Sequence, residues 1–141
     1  MAVKVFDVAD APEIAPGGRK RVLYNSDAFH VWIHGDWPGF EGHMHKHTAD
    51  ELFYCVRGAC RFHFPDGSHH DLTPGTMVAI PKGEPYRIEN TGGAYLALFG
   101  TRAEPDGMER WDAAGKPAAS DTEGGRQDRA ARPRVKGRLD T

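Results

Sequence analysis

Between residues 20 and 100 the chain is a succession of short apolar or alternating runs, each closed by a turn signal. Residues 20–24 stop at Asn25-Ser26-Asp27, 29–34 stop at Gly35-Asp36-Trp37-Pro38-Gly39, and 40–47 lead into a polar bend. Residues 51–56 stop at Arg57-Gly58, 60–64 at Pro65-Asp66-Gly67, 69–72 at Pro74-Gly75 and 77–80 at Pro81-Lys82-Gly83. The last two runs, 86–90 and 94–99, end at Thr91-Gly92-Gly93 and Gly100. Short runs with alternating patterning and Gly/Pro punctuation predict strands, and their even spacing predicts a sandwich or barrel. No apolar stripe of helical period extends beyond two turns before residue 100, so the predicted fold class is all-β. In the run 29–34, His30, Trp32 and His34 share one face and Phe29, Val31 and Ile33 the other. Phe53, Cys55, Phe62, Phe64, Met77 and Ile80 are expected to fill the interior, and His63, His69 and His70, beside a turn, to face solvent.

The pattern stops near residue 100. All eight histidines, seven phenylalanines and four tyrosines precede it, whereas residues 101–141 carry only Met108, Trp111, Val135 and Leu139 as large apolar side chains. Such a segment buries too little surface to offset its ordering entropy. The reading is therefore one domain over residues 1–100 and a polar, poorly structured, flexible tail over 101–141, with docking of Trp111 left open. Arg126, Arg129, Arg132, Arg134, Lys136 and Arg138 make the tail basic, but no aromatic residues are interleaved for base stacking, so nucleic acid is not an expected partner.

At 141 residues there is material for one compact domain and not for two. Lys+Arg 18 against Asp+Glu 20 leaves a net charge of -2, which removes any overall basic field. No apolar run is long enough for a membrane span, and the first residues lack the basic-then-apolar build of a secretory signal. A cytoplasmic protein without a membrane partner is expected. Cys55 and Cys60, spaced C-x4-C, do not form a redox or zinc-ribbon motif and are expected as buried reduced thiols.

The candidate chemistry lies in His43-Met44-His45-Lys46-His47, followed by Glu51 across the bend Thr48-Ala49-Asp50. On a strand, residues two apart point to one face, so the three imidazoles would share one space. A return of the chain at the bend would bring the Glu51 carboxylate beside them. Two imidazoles and a carboxylate suit a borderline first-row metal rather than calcium or magnesium. Arg57, Arg61 and Arg87 are further candidates, for a substrate carboxylate, against a default of exposed strand arginines.

Gly39-x5-His45-x-His47-x3-Glu51-x6-Gly58 resembles the first signature motif of the cupin superfamily at every position. Gly75-x5-Pro81-x-Gly83-x2-Tyr86-x3-Asn90 resembles the second with one departure: the family pattern has histidine where this chain has Tyr86. With the flanking strands the resemblance covers about residues 20–100. It implies a double-stranded β-helix, a jelly-roll barrel, with a metal inside its mouth, and small cupins commonly form homodimers. By this resemblance His45, His47, Glu51 and Tyr86 are the metal-site residues, Tyr86 and Glu51 are the catalytic pair, and the cofactor is one divalent transition metal (Fe, Mn, Ni or Zn).

Tyr86 leaves several arrangements open. His45, His47 and Glu51 could hold the ion alone, Tyr86 could ligate it or act on its bound water, or His43 could complete the set. A metal-free site is the remaining alternative, against which stands the cost of burying uncompensated ligands. The function implied is a metal-dependent enzyme acting on a small organic substrate, with dioxygenase-like or isomerase/lyase-like chemistry at a mononuclear two-His-one-Glu site. The alternative is a non-catalytic small-ligand-binding cupin. The resemblance implies no single reaction, because one fold hosts many chemistries.

Overall fold

The structure is a computed structural model that describes residues 3–8 and 20–103, together with the backbone of 111–112. Most of the predicted tail therefore lies outside the described residues. The strands in chain order are β1 (Lys20–Asn25), β2 (His30–Asp36), β3 (His45–Lys46), β4 (Glu51–Arg57) and β5 (Cys60–His63). They continue with β6 (His69–Leu72), β7 (Met77–Ile80), β8 (Arg87–Asn90), β9 (Leu96–Arg102) and β10 (Trp111–Asp112). The described residues contain no helix, and so none that is long and apolar enough to cross a membrane.

Every pairing is antiparallel. One sheet has the order β1-β2-β9-β4-β7, the second β6-β5-β8, and β10 pairs with β3. The two larger sheets close over Trp32, Phe53, Cys55, Cys60, Phe62, Leu72, Ile80, Tyr86, Ile88, Leu96 and Leu98. Ile33, Tyr95 and Ala97 form a smaller cluster on the opposite face of the first sheet, with Val8 and Leu23 against it.

The register of the five-stranded sheet lines up its inward side chains in rows. His30, Arg102, Glu51 and Ile80 are successive cross-strand partners, and Trp32, Gly100, Phe53 and Val78 form the next row. Gly100 is required there. A Cβ at this position would stand 2.6 Å from Cε2 and Cζ2 of Trp32 and 3.1 Å from Phe53 Cε1. Its absence lets the two rings meet edge to face at 5.5 Å over the strand between them.

Three features differ from the sequence reading. β9 runs on to Arg102, two residues into the segment read as tail, and β10 adds a short pairing with β3. The run 40–47 contracts to the two residues of β3. Phe40 and Gly42 instead make single contacts with β8, Asn90 N donating to Phe40 O at 2.9 Å and Gly42 N to Ile88 O at 2.8 Å. Met77 is 58% exposed, not interior. Met77 and Ile80 are three residues apart on one strand, so alternation puts only one of them inside, and Ile80 is the buried one. Cys55 and Cys60 are both buried free thiols.

Candidate functional site

Backbone hydrogen bonds bring the two motifs together. His45 and Tyr86 exchange N–H···O bonds of 3.0 and 2.8 Å, and Gly83 N donates to His47 O at 2.8 Å. Lys82 N donates to Asp50 Oδ1 at 2.9 Å, which fixes the Pro81–Gly83 turn against the bend after His47. The motif glycines Gly39, Gly58, Gly75 and Gly83 all have positive φ, as their turn positions imply. Asn90 has a supporting role: its side chain donates to Asp36 O and Ala94 O at 3.1 and 3.0 Å, and accepts from Gly92 N at 2.9 Å.

This framework places His45, His47, Glu51 and Tyr86 together inside the barrel, each buried. The ring centroids of His45 and His47 are 5.0 Å apart, and those of His45 and Tyr86 are 4.6 Å apart. Tyr86 Oη donates to Glu51 Oε1 at 2.5 Å. His45 Nδ1 lies 2.8 Å from His43 O; a carbonyl only accepts, so Nδ1 carries the proton and Nε2 is the acceptor nitrogen of the neutral ring. The His43 side chain is exposed and contributes its carbonyl rather than its imidazole.

Arg102 is a site residue the sequence reading did not identify. Its Nε donates to Glu51 Oε2 at 2.7 Å, and its Nη2 stands 3.4 Å from His47 Nε2. The Glu51 and Arg102 side chains are 1% and 7% exposed, so this ion pair is buried. The guanidinium lies over the Trp32 ring at 5.0 Å, Lys20 Nζ is 4.8 Å from that ring, and His30 stacks on it at 4.7 Å. The signal that would have found Arg102 is parity: Leu96, Leu98, Gly100 and Arg102 continue one face of β9 beyond the apparent end of the pattern.

Arg57, Arg61 and Arg87 are engaged elsewhere. Arg57 lies over the Tyr95 ring at 5.0 Å, Arg61 Nε binds Asp71 Oδ1 at 2.7 Å, and Arg87 Nη1 is 3.6 Å from Glu41 Oε1. His69 and His70 are exposed, and His63 Nε2 contacts Glu89 Oε1 at 2.7 Å. At the far end of β2 the imidazole of His34 makes a short contact with the Asp36 carboxylate.

The donor set does not fit a divalent metal with these side chains as placed. One Glu51 oxygen accepts from the Tyr86 phenol and the other from Arg102, whose guanidinium also faces His47. Among the described residues no three His, Cys, Asp or Glu side chains converge on a common metal position. As placed, the arrangement offers a carboxylate paired with a guanidinium, a phenol hydrogen-bonded to that carboxylate, and two imidazoles.

A cleft of about 390 Å³ borders this end of the sheet. Its lining includes Glu51 and Arg102 and is otherwise mostly apolar, with Phe29, Leu52, Ala79 and Ile80.

A family profile described as a cupin domain matches residues 32–99. Auxin-binding protein T92 of Nicotiana tabacum is 25% identical over 80 residues, covering 50% of this chain and 43% of that protein. The match therefore spans less than half the length of the tobacco protein. A protein with a double-stranded β-helix domain from Klebsiella pneumoniae superposes with a TM-score of 0.65 at 18% identity, covering 73% of this chain and 86% of its own. KdgF from a Halomonas species gives a TM-score of 0.57 at 19% identity, covering 67% and 86%.

Proposed function

The chain belongs to the cupin superfamily through the domain at residues 32–99, and from that membership we propose that it binds a small organic molecule at the Glu51–Arg102 end of its barrel. The observation that carries this reading is the cleft of about 390 Å³ at the strand ends that hold Glu51 and Arg102, a volume in the range of small-ligand pockets, with Leu52, Ala79 and Thr101 lining it from the face of the sheet opposite to the ion pair. Apolar walls with polar groups at one edge suit a ligand with an apolar body and one hydroxyl or carbonyl head. A net anionic or cationic head is less well matched, because Glu51 and Arg102 neutralise each other. The tobacco relative named for auxin binding supports a small-ligand role.

The chemistry open to this site is proton transfer, which makes an isomerase- or lyase-like step the best-supported reaction class. The Tyr86 phenol is held on Glu51 Oε1, and His45 has its Nε2 as acceptor because Nδ1–H is committed to His43 O. The phenol–carboxylate hydrogen bond, with the His45 ring packed on Tyr86, sets side by side the kinds of group that general acid/base chemistry uses. The metal-dependent dioxygenase or isomerase/lyase reading requires His45, His47 and Glu51 to converge on one ion. Arg102 stands against that.

A thermal-shift screen of small alcohols, ketones and acids tests the proposal. Saturable stabilisation by a member with one neutral polar head is expected, reduced in Ala79→Trp, which fills the cleft from its outer wall. A screen without a saturable shift, or a shift that survives both Ala79→Trp and Glu51→Gln, overturns it.

A further inference from the structure

The barrel interior holds two imidazoles and a carboxylate, a set whose chemistry suits a divalent transition ion, yet the cation that meets this set is a side chain. Arg102 Nε stands 2.7 Å from Glu51 Oε2 and Nη2 3.4 Å from His47 Nε2. A dication bound to that carboxylate oxygen at ligand distance, about 2.0–2.2 Å, would fall in contact with the guanidinium. Both are cations, and the side chains around them exclude water, so the repulsion is weakly screened. The second Glu51 oxygen already accepts from the Tyr86 phenol at 2.5 Å, which leaves it a single lone pair.

The fold builds Arg102 into this place. Arg102 and Glu51 are direct partners in the β4–β9 register, with the strand ladders on both sides of β9 fixing their backbones. The guanidinium lies over Trp32, and that ring lies across Gly100, where no other residue would leave it room. Swinging Arg102 out would strand the Glu51 carboxylate in the interior and give up the contact with the indole.

We propose that Arg102 is the resident cation of this cupin site: its guanidinium takes the position between Glu51 and His47 that a divalent metal would need, and so keeps the folded protein metal-free. This deepens the small-ligand reading of the same site, which it uses for the neutral character of the polar end. Metal uptake is measured with no ligand present, so failure of one proposal is separable from failure of the other.

The experiment uses the full chain without an affinity tag, stripped with chelator and dialysed in turn against Zn²⁺, Mn²⁺, Ni²⁺ and anaerobic Fe²⁺. Bound metal is measured by elemental analysis and stability by thermal melting, and the quantity compared is the uptake lost on adding His47→Ala. The wild-type protein is expected to have no such uptake and no metal-dependent melting shift. Arg102→Met and Arg102→His are expected to gain about one equivalent of His47-dependent metal and to melt higher with it than without it. Stoichiometric His47-dependent metal in the wild type overturns the proposal. It is equally overturned if both variants fold but take up none, or if both stay unfolded with metal present, since the ion should then replace the lost charge.

Discussion

Glu51 and Arg102 are 51 residues apart in sequence and face each other across the β4–β9 ladder, joined by a 2.7 Å bond from Arg102 Nε to Glu51 Oε2. The pair is buried at one end of the barrel, and His45, His47 and Tyr86 are arranged around it.

Removing one partner leaves the other as a buried, uncompensated charge. Glu51→Ala and Arg102→Ala are each expected to destabilise the domain by about 3–5 kcal/mol, and the double variant by less than their sum. Urea denaturation of the four proteins in the cycle measures this. Strict additivity would mean that the two side chains do not meet in solution.

Tyr86→Phe removes the donor to Glu51 Oε1 while keeping the ring among His45, Phe53 and Phe62. The loss should be about 1–3 kcal/mol, the cost of leaving a buried acceptor unsatisfied. An unfolding midpoint equal to that of the wild type would show that the phenol does not serve Glu51.

Gly100→Ala drives a methyl group into the Trp32 ring. Overpacking of this kind is expected to cost about 1–3 kcal/mol and to shift tryptophan emission, because the indole must move. Gly93→Ala, with open space around the added Cβ, serves as the control and should be near neutral.

Gly58 and Gly75 separate backbone strain from steric collision. Both have positive φ, but an added Cβ at Gly58 would lie 2.8 Å from Tyr95 O whereas Gly75 has open space. Gly75→Ala is expected to cost about 1–2 kcal/mol for the left-handed conformation alone. Gly58→Ala should cost distinctly more in the same melting experiment. Equal effects would mean that the Tyr95 backbone yields freely.

Burial pushes the Cys55 thiol up to about 11 and the Cys60 thiol up to about 12. The native protein should therefore react slowly with a thiol reagent at pH 8, and both cysteines should react once it is denatured. Because folding raises these pKa values, the unfolded chain loses its thiol protons first. The stability tied to them is intact below about pH 9 and falls as pH rises towards 11–12. A denaturation midpoint that holds constant from pH 9 to 11 would contradict this.

Much of the site was legible because it is encoded locally. The spacing from His45 to Glu51 and the one from Gly75 to Asn90 lie within single strand–turn–strand units, and both converge inside the barrel. His30 and Trp32 were grouped on one face by alternation alone, and both are buried beside the site. Alternation fails where the ladder is interrupted. Residues 40–47 have the composition of a strand, but Phe40 and Gly42 meet β8 through single contacts, and only His45–Lys46 remain as β3. Arg102 was missed because the apolar pattern of β9 ends before the strand does, and nothing around an arginine among Thr101, Ala103 and Glu104 distinguishes it from a solvated tail.

The sequence by itself determined the all-β class, the glycine turns that need positive φ, and the identity of the imidazoles, carboxylate and phenol in the interior, because these depend on spacings of a few residues. Only the tertiary structure decided which cation these groups face. That choice follows from the register between β4 and β9, which a bulge between Cys55 and Arg57 shifts and which no local periodicity encodes. It also follows from burial, which turns a cross-strand Glu–Arg pair from a weak surface contact into the strongest charge interaction of the site.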